Sequence, residues 1–79
     1  MMKKRVPVHF VICLDNDGYP ASLEVGKLYR LIPDVEAEAE GLLRVIDESG
    51  EDYAFEAKRF YEITVPPVVE EVLLAANRS

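Results

Sequence analysis

The stretch Gly41-Leu-Leu-Arg-Val-Ile-Asp-Glu-Ser-Gly-Glu-Asp-Tyr-Ala-Phe-Glu-Ala-Lys-Arg-Phe-Tyr-Glu-Ile63 decides the fold. Leu43 and Val45 fall on one face of an extended segment, with Leu42, Arg44 and Ile46 on the other, because a strand alternates its side chains with a period of two. Glu48-Ser49-Gly50 suits a three-residue hairpin loop in which Gly50 takes the left-handed position that a β-carbon disfavours. Tyr53 and Phe55 share a face of the returning strand and are predicted to pack across from Leu43 and Val45. Ala57 to Arg59 reads as one tight helical turn. Phe60 to Val65 follows as a last strand, ended by Pro66-Pro67. The predicted inward set is Leu43, Val45, Tyr53, Phe55 and Phe60.

Working outward, Val8 to Leu14 is β-branched and aromatic, and it stops at the turn formers Asp15-Asn16-Asp17-Gly18, as a strand does. Asp15 to Gly26 reads as a long loop broken by Gly18 and Pro20. Lys27 to Ile32 alternates with apolar groups on both faces, so it is predicted to be covered on both sides. Asp34 to Glu40 reads as an acidic loop; its Glu-Ala-Glu-Ala-Glu core also suits a helical turn, but is too short for a stable isolated helix.

The tail has a different period. Val65, Val68, Val69, Val72, Leu73 and Ala76 lie on one helix face. Pro67 is tolerated in a first turn, and Glu70, Glu71 and Arg78 complement the helix dipole. A helix over about 67–77 is too short to stand alone in water. It is expected to dock on its own sheet or to offer Val68, Val72 and Leu73 to a second subunit or another protein.

This succession of strand, long acidic loop closed by Leu23-Glu24-Val25-Gly26-Lys27, strand at Leu28-Tyr29-Arg30-Leu31, hairpin, helical turn and short strand resembles the SH3-like small barrel. Gly50-Glu51-Asp52-Tyr53-Ala54-Phe55, followed by Ala57-Lys58-Arg59-Phe60, looks like the last hairpin strand and helical turn of such domains. Leu-Glu-Val-Gly-Lys-Leu-Tyr and Arg-Val-Ile-Asp-Glu-Ser-Gly-Glu-Asp-Tyr resemble a family of short, uncharacterised bacterial and phage-type proteins. The resemblance covers Val8 to Ile63. It implies a mainly β, five-stranded SH3-like barrel over about 8–65 with a short C-terminal α-helix, and it brings no activity. Peptide-binding SH3 domains carry a tryptophan just after their central turn, and this chain has none. Glu56 stands where their groove usually has proline. Recognition of proline-rich ligands is therefore not implied. Tyr19 and Tyr29 are the remaining candidates for aromatic surface.

Composition narrows the function. At 79 residues the chain is one domain, and its balance of apolar and charged residues is that of a folded globular protein. A net charge of −6 repels a phosphate backbone. Nucleic-acid or translation-machinery binding, the alternative reading, needs Arg44, Lys58 and Arg59 to converge on one face. Lys3, Lys4 and Arg5 form a small basic tip that reads as a terminus. With one cysteine, Cys13, the chain makes no internal disulfide, which suits a reducing cytoplasm. The basic head and apolar run at the start lack the length and cleavage site of a signal peptide, and no stretch is long enough to span a bilayer.

Catalytic chemistry is sparse. Asp15, Asp17, Gly18 and Glu24 fall at positions 3, 5, 6 and 12 of a calcium loop, but position 1 is then Cys13, a poor ligand for a hard cation, and the preceding segment reads as a strand. His9 and Cys13 sit about 13 Å apart if their segment is a strand, too far to share a proton. The Glu36, Glu38 and Glu40 run reads as a solvated loop. The sequence therefore predicts a non-enzymatic, acidic, cytoplasmic interaction module without a cofactor or metal. It binds an unidentified protein partner or itself, with Val68, Val72, Leu73, Tyr19 and Tyr29 as its candidate surface.

Overall fold

A computed structural model describes residues 9–76. The basic tip at Lys3, Lys4 and Arg5, the predicted strand start at Val8, the predicted helix end at 77 and the dipole-facing Arg78 lie outside the described residues. The elements are β1 (His9–Cys13), β2 (Leu28–Ile32), α1 (Val35–Ala39), β3 (Leu42–Ile46), β4 (Asp52–Glu56), a helical turn at Ala57–Arg59, β5 (Phe60–Ile63) and α2 (Pro67–Ala76). The five strands form one antiparallel sheet in the order β4-β3-β2-β1-β5. The fold is thus mainly β with a short C-terminal helix.

The hairpin forms as its sequence dictates. Asp47 N–H donates to the Glu51 carbonyl and Gly50 N–H to the Asp47 carbonyl, both at 3.0 Å, which leaves Glu48-Ser49-Gly50 as the loop. Gly50 has φ +87°. Asp47 reinforces the turn, its Oδ1 accepting from Ser49 N–H at 2.8 Å and Ser49 Oγ–H at 2.5 Å. Register follows from this closure: Leu43 pairs with Phe55 and Val45 with Tyr53.

One face of the sheet carries the core: Val11, Cys13, Leu23, Tyr29, Leu31, Leu43, Val45, Phe55 and Phe60. Tyr53 corrects the predicted inward set. It shares the face of Phe55 but is 50% exposed, because on the edge strand it lacks the cover that the Tyr19 ring gives Phe55, while its partner Val45 on β3 is fully buried. On the opposite face Phe10 is also buried, so β1 is covered on both sides. β2 is deeply buried only at Tyr29 and Leu31, and its other face, Leu28, Arg30 and Ile32, is half-buried.

The acidic segment takes the helical alternative to a loop: it is a short helix, α1. Asp34 caps it, Oδ1 accepting from Ala37 N–H at 3.1 Å, which satisfies one of the orphan donors of a helix start. The other carboxylate oxygen, Oδ2, accepts from Arg44 Nε on β3 at 2.8 Å. A five-residue helix is thereby pinned to the sheet by a contact from ten residues away.

α2 begins at Pro67, with Val69 and Glu70 N–H donating to the Pro66 carbonyl. The predicted apolar stripe is divided. Val65 and Leu73 are half-buried, as is Leu74 outside the stripe, while Val68 and Val72 stand 67% and 63% exposed. Leu74 and Ala76 line a cleft of about 630 Å³ with Leu28, Arg30 and Ile46 on the half-buried face of the sheet.

Candidate functional site

The loop between β1 and β2 is a built structure. Asp15 Oδ1 accepts from Asp17 N–H, Tyr19 N–H donates to the Asn16 carbonyl, and Ser22 and Leu23 N–H both donate to the Tyr19 carbonyl. Asn16 Nδ2 reaches across to the Leu23 carbonyl at 2.9 Å. Leu23 is fully buried and anchors the loop in the core. Glu48 N–H donates to the Ser22 carbonyl at 3.0 Å, joining the loop to the hairpin.

This folding sets Tyr19 against the edge of the core. Its ring meets Phe55 edge-on at 5.0 Å, and Phe55 in turn meets Phe60 at 6.1 Å. Both arrangements match the preferred quadrupole geometry of aromatic pairs. The Arg59 guanidinium stacks over the Tyr19 ring, 4.9 Å from its centre. Between Tyr19 and Ser22 on one side and Tyr53, Ala54 and Phe55 of β4 on the other runs a groove of about 450 Å³. Asp47, Ser49 and Glu51 close its hairpin end. Glu51 accepts from the Tyr53 hydroxyl at 3.2 Å, and this carboxylate pushes the phenol above its ordinary pKa, so Tyr53 remains a neutral donor. Asp47 is only 6% exposed.

The predicted surface residues part company. Tyr19 is exposed at the groove, whereas Tyr29 is 4% exposed and is a core residue. Tyr29 fails as surface because it alternates with Leu31 onto the core face of β2. Its hydroxyl accepts from Glu24 N–H at 2.8 Å and donates to Glu48 at 2.5 Å. Burial, then the Glu48 carboxylate, pushes this phenol well above its usual range. Val68, Val72 and Leu73 sit on α2, away from the residues that line the groove. Sequence reasoning placed Tyr53 in the core and so missed it as groove wall; its position beside the loop was the available signal.

Other candidates occupy structural roles. Cys13 is buried on β1, and desolvation raises its thiol pKa. Asp15 and Glu24 do not gather around a cation position, and no group of three or more metal-ligating side chains occurs among the described residues. Arg44 pairs with Asp34 at 2.8 Å and Asp52 at 3.4 Å. Arg59 pairs with Glu56 at 3.2 Å and Asp15 at 3.7 Å. Two of the three cations required for a phosphate-binding face are therefore each held between carboxylates. No helix among the described residues is long and apolar enough to cross a membrane.

Two carboxylates link the ion pairs to pH. Arg44, helped by Ala37 N–H, holds Asp34 below the usual carboxylate range. Lys27, then Tyr29, does the same for Glu48. A depressed folded-state pKa contributes stability that is present above the unfolded value and lost as pH falls through the folded one. The melting temperature is expected to hold from neutrality to roughly pH 4.5 and to fall below it, since free carboxyls titrate near 4. A pH series by circular dichroism checks this, with Asp34→Asn showing a shallower acid decline. A melting temperature that stays level to about pH 2 contradicts the assignment.

A scan against protein-family models, a search of the curated proteins and a search of the solved structures each returned no match for this chain.

Proposed function

We propose that this chain is a non-enzymatic interaction module on an SH3-like small barrel, and that it docks a basic segment of a protein partner in the Tyr19–Tyr53 groove. The barrel reading is supported by the strand order, by the helical turn that carries the chain from β4 to β5, and by the antiparallel pairing of β5 with β1. One observation carries the binding reading: an aromatic-walled groove with the exposed carboxylate of Glu51 at its rim. The exposed phenol rings of Tyr19 and Tyr53 supply apolar contact, and the exposed carboxylates along β4 and its turn add charge complementarity for a basic segment. The chain's net charge of −6 acts in the same sense by steering a basic partner. Arg44 and Arg59 already face carboxylates, which argues against a nucleic-acid backbone.

Two-dimensional NMR titration with arginine- and lysine-rich peptides tests the reading. The largest shifts are expected at the amides of Tyr19, Tyr53 and Phe55, and Tyr19→Ala is expected to weaken binding by about fivefold or more. Glutamate-rich peptides of the same length are expected to give none. Shifts indifferent to peptide charge and to Tyr19→Ala overturn the groove. A dimer that appears by light scattering and is broken by Val72→Glu transfers the interaction to the exposed valines of α2.

A further inference from the structure

The strand that walls the groove, β4, pairs with β3 and with no other strand among the described residues. In an antiparallel ladder alternate residues exchange hydrogen bonds, and those between them direct N–H and C=O outward. The ladder phase is fixed at both ends of β4. Asp47 N–H bonds to the Glu51 carbonyl, and Ala57 N–H to the Gly41 carbonyl. Stepping by two from either end makes Val45–Tyr53 and Leu43–Phe55 the bonded pairs. Asp52, Ala54 and Glu56 are left with their backbone groups aimed away from β3. No hydrogen bond to these outward groups occurs among the described residues.

We infer that the partner is bound by strand addition: a basic segment, extended and alternating between apolar and cationic residues, pairs with the β4 edge opposite Asp52, Ala54 and Glu56. This rests on the groove reading and specifies how the groove is used. Side-chain alternation fits both faces of the added strand. Residues opposite Tyr53 and Phe55 project toward the groove, where Tyr19 and the two β4 aromatics supply apolar contact. Residues opposite Asp52 and Glu56 project on the other face, beside two exposed carboxylates that each hold one guanidinium, Arg44 at 3.4 Å and Arg59 at 3.2 Å, and keep their other side open to solvent. Opposite charges directly across a pair stabilise it, and like charges destabilise it. The same rule disfavours a second copy of this chain as occupant. Two β4 edges brought together would set their own Asp52 and Glu56 against each other, which is how edge strands avoid self-association.

The probe is the capped peptide Arg-Val-Arg-Val-Arg, titrated into the full-length chain by NMR. Binding is expected with shifts along residues 52–56 and at Tyr19, and Glu-Val-Glu-Val-Glu is expected not to bind. N-methylation of the central arginine amide removes a donor to the edge and is expected to weaken binding by about tenfold. N-methylation of a valine amide, which points away from β4, is expected to cost much less. Ala54→Pro removes an outward N–H without touching the ladder to β3; it is expected to abolish binding while the spectrum stays dispersed. The methylated peptides keep the test intact if that variant fails to fold. Equal affinity of both methylated peptides, with shifts still at Tyr19 and Tyr53, overturns strand addition and leaves the groove reading standing. No shift with the arginine peptide overturns both. Slow self-pairing through β4, seen as dimerisation that the peptide does not reverse, also overturns the inference.

Discussion

Phe55→Ala is expected to lower stability by about 3–5 kcal/mol. A chain of this length has a total of roughly 4–12 kcal/mol, so much of the population unfolds. Phe55 is 6% exposed and touches two aromatic partners, Tyr19 and Phe60, in edge-on geometry. Truncation therefore removes apolar burial, opens a cavity and releases the ring that seats Tyr19. Urea denaturation followed by circular dichroism measures the change, and Phe55→Leu is expected to retain more than half of the stability lost by alanine. A cost under about 1 kcal/mol would place Phe55 outside the cooperative core. Because Phe55 is also the groove floor, peptide binding by the surviving folded fraction is expected to weaken.

Gly50→Val is the second large effect, with a different physical origin. Nothing lies within 4 Å of the position a β-carbon would take, so the cost is not a collision with neighbours. It arises because φ +87° lies in the left-handed region, which a β-branched residue occupies only with strain. The expected loss is about 1–3 kcal/mol, or about 4–8 °C in melting temperature for each kcal/mol in a domain of this size. Gly50→Asn is the matched control, since asparagine tolerates this region, and it is expected to recover most of the loss. An unchanged melting temperature for the valine variant would mean that the loop adopts another turn.

The hairpin was legible because its causes are local. Alternation fixes the faces of β3 and β4, and a glycine at the fourth position of the turn fixes the loop. Elsewhere the causes are remote. Asp34 looks like the start of an acidic loop until Arg44, on another element, engages the carboxylate that also caps α1. Tyr53 has the correct face but stands on an edge strand, and alternation says nothing about a strand's place in the sheet or about which loop covers it. Tyr29 is a candidate for surface by residue type, yet its strand is the middle one of the five and its side chain lies on the core face with Leu31. The groove itself depends on how the long loop folds over Phe55, which is set by Leu23 in the core and by the Ser22–Glu48 backbone bond. No periodicity in the sequence encodes such a bond.

The pairing of β5 with β1 sets the order of events in folding. Phe10 lies opposite Ile63 and Cys13 opposite Phe60, so the first and last strands meet only after nearly the whole described chain has collapsed between them. The β3–β4 hairpin closes a short loop and forms on the order of microseconds. The β1–β5 ladder waits on a far costlier closure, and chains dominated by such remote pairings fold on the order of milliseconds to seconds. During synthesis β1 remains a half-paired strand until Ile63 has been added, with its apolar residues Phe10, Val11 and Ile12 exposed along an open border. The interval between those two events is when this small domain is most vulnerable to aggregation.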